Sequence, residues 1–335
     1  MSDMKIALIV LACLAATATI CILLAYILAR LLLRANFTRA ADPDKDLRLN
    51  LERMETGPLA ESLPMIKEGI EWMRTAPQEE VCITSRDGLT LRARLIPADD
   101  KDLLPDGTPR KLAIMIHGYR SSPEFDYSGV AKLYHSMGFT LLLPYQRAHG
   151  RSDGDWICFG ALERYDTVDW CLWAEKRFPG VPFVLSGISM GCTTALLAAA
   201  EPDMPKTIAC ITADCGYVSP RAIFTDVLHS SYHLPYFPLM NIADRLCKRK
   251  IGFSFDEFST VEAVKKITVP VLFVHGEADN FVSPRNTLEN YAACTAPKQL
   301  ITVPGAGHGV SYLVDRERCD REIKALFDEA FGMTA

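Results

Sequence analysis

The longest uninterrupted apolar run of the chain lies near its N-terminus. Residues 6–29 contain no charged side chain and consist mainly of Ile, Leu, Val and Ala. At 1.5 Å per helical residue, this run is long enough to cross the hydrocarbon layer of a bilayer, which is roughly 30 Å thick. A cleavable signal peptide has a shorter apolar region and a small-residue cleavage site. The pattern therefore predicts a retained transmembrane anchor over residues 1–34.

Beyond residue 78, short apolar runs alternate with segments of helical spacing. Two segments of alternating polarity flank Asp87-Gly88, a dipeptide typical of a hairpin turn. The globular domain is predicted to begin with this hairpin. Six further apolar runs indicate buried strands, and they cover residues 111–116, 139–144, 182–186, 207–212, 269–274 and 299–303.

Residues 35–78 are predicted to link the anchor to this domain, which then comprises residues 79–335. After a polar hinge, residues 59–73 have helical spacing that is interrupted at Pro64. This spacing indicates an amphipathic helix that lies either on the domain or on the membrane surface.

One pentapeptide combines a strand end, a tight turn and a helix start around a serine. Gly187-Ile188-Ser189-Met190-Gly191 follows an apolar run and precedes a segment rich in Ala, Leu and Thr. Small residues also serve tight packing, but the Gly-x-Ser-x-Gly pattern in this context is typical of a nucleophilic serine. A serine hydroxyl becomes a good nucleophile only when a base takes its proton, so a histidine and an orienting acid are required.

Two later loops supply such a histidine and such an acid. Asp279 and His308 each follow a predicted buried strand. The carboxyl ends of parallel strands meet at one edge of a sheet, so Ser189, Asp279 and His308 are expected to converge there as nucleophile, acid and base. Asp214, which follows a neighbouring strand, is an alternative acid for the same histidine.

The order Ser, Asp, His along the chain resembles the α/β-hydrolase superfamily, in the branch that includes serine-aminopeptidase-like and monoacylglycerol-lipase-like proteins. The resemblance extends over residues 79–333 and implies a mostly parallel eight-stranded sheet with helices on both faces and a cap insertion at about residues 217–260. His117-Gly118, at a strand end, resembles the His-Gly-x turn of that family. The resemblance therefore implies an oxyanion hole formed by the backbone N–H groups of Tyr119 and Met190.

Other histidines have less specific signals. His117 and His275 both precede a glycine at a strand end, where a histidine more often bonds to loop backbone than takes part in chemistry, and we interpret both as structural. His229 and His233 have the i, i+4 spacing of a zinc pair, but no third ligand accompanies them. We therefore predict neither a metal nor a cofactor.

Composition limits the partners and the compartment. A net charge of −5 argues against nucleic acid as a partner. The eleven cysteines are odd in number and scattered, which indicates reduced thiols rather than a disulfide framework. Three basic residues follow the span, Arg30, Arg34 and Arg39, whereas only Lys5 precedes it. The positive-inside rule therefore predicts that the C-terminal domain is cytoplasmic. The alternative is that the domain is exported whatever its charge. Nothing in the sequence indicates an oligomeric state.

The predicted cap is rich in aromatic residues, among them Phe224 and Tyr232. These side chains form either an apolar lid over an acyl pocket or the small core of the cap itself. Three functions are then possible: a membrane-anchored serine hydrolase that cleaves esters or thioesters through an acyl-serine intermediate, a serine peptidase of aminopeptidase type, or a non-catalytic membrane-tethered binding domain. The peptidase would need a carboxylate for the substrate amine, from Glu163, Asp166 or Asp214.

The hydrolase is the preferred prediction, because the three candidate catalytic residues and both oxyanion positions are present. Its predicted partners are a small-molecule or lipid-like acyl substrate and, through the N-terminal helix, the membrane. Since every candidate site residue lies in the globular part, removal of residues 1–34 is expected to release soluble and active enzyme.

Overall fold

A single mixed sheet organises the globular part. The computed structural model describes residues 3–39, 43–55, 57 and 59–332. The strands lie side by side in the order β1-β2-β4-β3-β5-β6-β7-β8, and β2 pairs antiparallel with both β1 and β4, whereas all other neighbours are parallel. The strands are β1 (Glu79–Thr84), β2 (Thr90–Ile96), β3 (Leu112–Ile116), β4 (Thr140–Pro144), β5 (Phe183–Ile188), β6 (Ile208–Asp214), β7 (Val271–Gly276) and β8 (Lys298–Val303).

Strand burial explains the apolar runs of the sequence. Every residue of β3, β4 and β7 is buried, because helices cover both faces of these strands. β1 and β2 form the predicted hairpin, in which Thr84 pairs with Thr90 and Gly88 adopts a φ of +87°, a conformation that favours glycine. The predicted mostly parallel eight-stranded sheet is confirmed.

Helices pack on both faces of the sheet. Successive strand residues point to opposite faces, so Ile114 and Leu185 face α6 and α7, whereas Ala113 and Val184 face α5 and α13. Among the described residues the α-helices are α1 (Asp3–Phe37), α2 (Pro43–Glu55), α3 (Leu63–Thr75), α4 (Pro123–Asp126), α5 (Ala131–Ser136), α6 (Glu163–Arg177), α7 (Met190–Ala199), α8 (Pro220–Ser230), α9 (Leu239–Lys250), α10 (Thr260–Ala263), α11 (Arg285–Ala293), α12 (Ser311–Val314) and α13 (Arg316–Phe331).

The segment between β6 and β7 contains α8 and α9, where the sequence predicts the cap. Its aromatic and aliphatic side chains join the end of α1 in a separate apolar cluster beside the sheet. α3, in the predicted linker, buries Ile66, Ile70 and Met73. Of the two surfaces proposed for this amphipathic helix, it therefore lies on the domain.

α1 is the one helix of the described part of the chain that is long and apolar enough to cross a membrane, with a mean hydropathy of 2.8 over its most apolar window. Its first seven turns are largely exposed, whereas Ala29, Leu33 and Phe37 are buried against the globular part. The predicted boundary after residue 34 does not coincide with a structural boundary, because the helix continues to Phe37 and packs on α9.

Candidate active site

Ser189 lies at the apex of the turn between β5 and α7. Its φ of 56° and ψ of −120° are rarely adopted by residues other than glycine. The turn requires glycine on both sides, because a Cβ on Gly191 would lie 1.9 Å from the carbonyl oxygen of Ile116 and one on Gly187 2.4 Å from that of Gly191. The two glycines of the pentapeptide thus permit a turn that presents Ser189 at its apex.

Three side chains form a hydrogen-bonded series across the carboxyl ends of β5, β7 and β8. His308 Nε2 lies 2.8 Å from Ser189 Oγ, and His308 Nδ1 lies 2.7 Å from Asp279 Oδ2. With the proton on Nδ1, His308 donates to the carboxylate and leaves Nε2 as the acceptor for the serine hydroxyl. The structure therefore brings together the three residues that the sequence singles out, in a geometry suited to nucleophilic chemistry.

Asp279 has a fully buried side chain, and both of its carboxylate oxygens accept hydrogen bonds. Oδ1 accepts the N–H groups of Phe281 and Val282, each at 2.9 Å, and Oδ2 is bonded to both His275 and His308. Burial alone would raise the pKa of this carboxyl, but the bonds from His275 and His308 outweigh burial and hold the pKa well below its usual range. Asp279 is therefore ionised when it contacts His308.

Asp214, the alternative acid, makes a different contact. Its backbone carbonyl accepts the N–H of Ser189 at 2.8 Å, and its buried Oδ1 atom has no hydrogen-bond partner among the described residues. Burial raises the pKa of this carboxyl to about 6. His308 Nδ1 donates its hydrogen bond to Asp279 and not to Asp214, which favours Asp279 as the orienting acid.

His275 has a contact that sequence reasoning missed. Its Nε2 lies 3.1 Å from Asp279 Oδ2 and 2.9 Å from the carbonyl oxygen of Val282, and its Nδ1 lies 2.6 Å from Thr287 Oγ1. With the proton on Nε2, His275 donates to the loop that carries Asp279. It therefore acts as a positioning residue, and its place at the end of β7, four residues before Asp279, is the only sequence signal for this contact.

Tyr119 and Met190 lie at the ends of neighbouring parallel strands. Met190 is the first residue of α7, and the first N–H groups of a helix have no partner within it. Gly118 brings the other strand end close, since a Cβ on Gly118 would lie 3.2 Å from Ser189 Cβ. These positions are compatible with the oxyanion hole, and the role of both N–H groups stays a prediction.

His117 is bonded to backbone on both sides of its ring. Nδ1 lies 2.8 Å from the carbonyl oxygen of Gly118, and Nε2 accepts the N–H of Gln146 at 3.1 Å. Burial lowers its pKa to about 4, so the ring is neutral at physiological pH. These bonds support its interpretation as a structural residue.

An apolar cavity of about 140 Å³ adjoins Ser189. Phe224 and Phe255 of the cap line it, whereas Phe253 and Phe258 pack within the cap, so the aromatic residues serve both of the purposes considered from the sequence. The wall consists of Ala29, Leu32, Leu33, Asn36, Phe37, Tyr119, Phe159, Ser189, Tyr217, Ile223, Phe224, Val227, Leu228, Tyr232, Leu239, Met240, Ala243, Phe255 and Phe281.

The contribution of α1 to this wall is the main feature that the sequence did not reveal. Ala29, Leu32 and Leu33 lie within the segment predicted to be only an anchor, and Asn36 and Phe37 lie in the predicted linker. The prediction that removal of residues 1–34 releases soluble and active enzyme assumed that the site lies wholly in the globular part. Because this removal deletes Ala29, Leu32 and Leu33 from the cavity wall, we now expect it to weaken activity.

Potential metal ligands cluster at the same place. One ligand atom each from Cys215, Asp279 and His308 lie within 4.8 Å of one another. Burial raises the pKa of the Cys215 thiol well above its usual range, and the other two residues bond to each other. His229 and His233 do not share a helix face, because α8 ends at Ser230. We assign no metal, and the absence of a metal or cofactor stays a prediction.

Comparisons with known proteins agree with the fold. A family model described as the alpha/beta hydrolase fold matches residues 113–244. YqkD of Bacillus subtilis (strain 168) is 29% identical over 198 residues, which cover 58% of this chain and 64% of YqkD, just under two thirds of its length. A monoglyceride lipase homolog of monkeypox virus is 25% identical over 248 residues, covering 64% of this chain and 79% of that protein. The structure of a Pyrococcus furiosus esterase superimposes with a TM-score of 0.61 at 20% identity, covering 77% of this chain and 92% of the esterase.

Proposed function

The chain belongs to the α/β-hydrolase superfamily, and from this premise we propose that it is a membrane-anchored serine hydrolase that cleaves esters or thioesters of lipophilic acyl groups. The observation that carries the proposal is the series of hydrogen bonds from Ser189 through His308 to Asp279, beside an apolar cavity. The series supplies an activated nucleophile, and the cavity supplies a place for an acyl chain.

The two bonds of His308 define the path of the proton. His308 Nε2 takes the proton of the Ser189 hydroxyl while Oγ forms a bond to the acyl carbon. Negative charge then develops on the carbonyl oxygen, where the N–H groups of Tyr119 and Met190 would stabilise it. A single donor of this kind typically contributes about 2.7–4 kcal/mol to catalysis. The ionised Asp279 stabilises the imidazolium that forms.

The remaining steps return the enzyme to its starting state. The C–O or C–S bond to the leaving group breaks, and the alcohol or thiol departs with the proton from His308. The acyl group stays on Ser189 as an ester. A water molecule then gives its proton to His308 and attacks the acyl carbon, which releases the carboxylic acid and restores the Ser189 hydroxyl.

The character of the cavity supports a lipophilic acyl group. Among its lining side chains, those of Asn36, Ser189, Tyr119, Tyr217 and Tyr232 carry polar atoms, and the rest are aliphatic or aromatic. One relative agrees with this choice by name, the monoglyceride lipase homolog of monkeypox virus.

The peptidase alternative lacks support at the cavity. Glu163 accepts the backbone N–H groups of Cys158 and Gly160, and Asp166 is bonded to the guanidinium of Arg147. Neither carboxylate belongs to the cavity wall, and neither does Asp214. A substrate amine would therefore find no carboxylate among the residues that line the cavity.

The proposal is tested with the full chain in detergent micelles. A fluorophosphonate probe should label the wild type and the surface variant Ser283→Ala, but not Ser189→Ala, because the probe reacts with an activated serine hydroxyl. In parallel, p-nitrophenyl esters of graded chain length are compared with aminoacyl amides, and the longer esters should be hydrolysed fastest. Labelling that persists in Ser189→Ala would contradict the assignment of the nucleophile, and faster cleavage of the amides would favour the peptidase.

A further inference from the structure

The end of α1 is joined to the globular part by backbone hydrogen bonds. The carbonyl oxygen of Phe37 accepts the N–H of Ile157 at 2.7 Å, and the N–H of Arg39 donates to the carbonyl oxygen of Asp155 at 3.0 Å. The Arg39 guanidinium also donates to the carbonyl oxygens of Gly150 and Ser152. Because these bonds follow the helix directly, the anchor is held in a defined position and not on a flexible tether.

The same helix end is bonded to the turn that carries a proposed oxyanion donor. The Tyr119 hydroxyl donates to the carbonyl oxygen of Asn36 at 2.8 Å, and the Arg120 guanidinium donates to that of Ala35 at 2.6 Å. Both carbonyls belong to the last turn of α1, where carbonyl groups lack partners within the helix. The proposed catalytic site and the anchor therefore share a hydrogen-bonded contact.

Side chains at the end of α1 also pack closely against the other residues of the cavity wall. Ala29 is fully buried, and Leu33 and Phe37 are 7% and 3% exposed. The Phe37 ring lies 4.8 Å from that of Phe159 and 5.0 Å from that of Phe224, measured between centroids. One side of the cavity is thus the membrane helix, and the other sides come from the cap and from the loops around Ser189.

Charged residues indicate where the bilayer surface crosses α1. On another face of α1, a groove of about 430 Å³ is lined by Arg30, Arg34 and Lys250 together with Trp156. Basic and tryptophan side chains are typical of the membrane–water interface. Because Arg30 and Arg34 alternate along the helix with the cavity residues, the cavity lies at the depth of this interface.

We propose that α1 is a substrate-binding element as well as an anchor, an inference that rests on the proposed hydrolase function. An amphiphilic lipid ester with one acyl chain leaves the bilayer alongside α1, and its chain occupies the cavity between α1, α8 and α9. The ester group then reaches Ser189, while the polar alcohol part stays at the interface. The acyl carbon bonds to Ser189 Oγ, and the alcohol leaves with the proton from His308, as described above.

The first test changes the cavity wall from the α1 side. Ala29→Leu adds bulk at a fully buried wall position, and Ala18→Leu makes the same change on an exposed part of α1. The readout is kcat/KM for a long-chain ester divided by kcat/KM for a short-chain ester. We expect Ala29→Leu to lower this ratio by about tenfold, because a poor fit of one methylene group in an apolar pocket typically costs at least that factor. Ala18→Leu should leave the ratio unchanged. Because the readout is a ratio, partial loss of folded protein does not affect it.

The second test needs no substitution. A fluorophosphonate with a long alkyl tail and a terminal diazirine is allowed to react with the full chain in phospholipid vesicles, and the crosslinks are mapped by mass spectrometry. We expect attachment at Ser189 and photo-crosslinks to residues 29–37. Crosslinks confined to α8 and α9, together with an unchanged chain-length ratio in Ala29→Leu, would overturn the role of α1. Absence of hydrolysis of every ester, with crosslinks to residues 29–37 intact, would instead contradict the proposed function alone.

Discussion

Two carboxyl groups near His308 differ in environment, and this difference supports the proposed role of Asp279 as the orienting acid. Asp279 receives four hydrogen bonds, which hold its pKa below the usual range. Asp214 has a buried oxygen without a partner among the described residues, and burial raises its pKa to about 6. An orienting acid must stay ionised beside the imidazolium, and Asp279 satisfies that condition over the whole physiological range.

We predict that Asp279→Asn lowers kcat for the preferred ester by about 10,000-fold, because an amide in place of the carboxylate favours the wrong tautomer of the histidine. The matched variant Asp214→Asn should keep turnover within about tenfold of the wild type, because the hydrogen bond of His308 Nδ1 is made to Asp279. Steady-state kinetics of both purified variants checks this ranking. The opposite ranking would move the acid to Asp214.

Thermal unfolding of Asp214→Asn gives an independent control. The pKa of Asp214 is raised in the folded state, so ionisation of this carboxyl destabilises the fold. The loss of stability is absent below the unfolded pKa of about 4, and it is complete above the folded pKa of about 6. The Tm of the variant relative to the wild type should therefore rise between pH 4 and pH 7. A difference that is constant across this range would contradict the burial of an ionisable Asp214.

At the scale of elements, α1 combines an exposed N-terminal part with a C-terminal end that is buried against the globular part. The first turns of α1 are exposed, whereas its last turns are buried against α9 and the cap. Full burial of a Leu or Phe side chain stabilises a protein by about 1.5–3 kcal/mol, so loss of this contact affects both the fold and the cavity.

Two truncations separate the proposed anchoring part of α1 from the part that lines the cavity. Removal of residues 1–24 deletes only exposed turns among the described residues, and it should preserve hydrolysis of long-chain esters. Removal of residues 1–34 also deletes Ala29, Leu32 and Leu33, and it should cause aggregation or at least a tenfold loss of long-chain activity, because the cap then exposes its apolar side. Size-exclusion chromatography and ester hydrolysis compare the two. Equal activity of both truncated proteins would show that α1 is dispensable for the site.

At the scale of the whole molecule, the cytoplasmic orientation of the domain stays a prediction that rests on the distribution of basic residues. Lys250 joins Arg30 and Arg34 at the groove beside α1, which adds to the basic charge on that side of the span. All eleven cysteines are free, so thiol reagents can report on their exposure.

We therefore predict that the protein resists carbonate extraction and that its domain faces the cytoplasm. Cys82 is the useful reporter, since it is exposed in the globular part, whereas Cys158 and Cys319 are buried. A membrane-impermeant maleimide should fail to modify Cys82 in intact spheroplasts and should modify it after permeabilisation. Modification in intact spheroplasts would reverse the orientation and leave the anchor in place, and recovery of the full chain in the soluble fraction would contradict both.

The sequence by itself determined the elements and the candidate chemistry. Strand burial on both faces requires continuous apolar runs, and the turn at Ser189 requires glycine at positions 187 and 191, so both leave a local pattern. The order of Ser189, Asp279 and His308 also indicated one sheet edge, because the ends of parallel strands coincide there.

Tertiary structure alone decided which contacts those residues make. An apolar residue such as Leu33 is compatible with lipid or with a protein cavity, so composition could not distinguish the anchor from the cavity wall. The choice of Asp279 over Asp214 and the support from His275 depend on distances near 3 Å between atoms from separate loops. Such distances arise only when the packed sheet fixes the ends of its strands relative to one another.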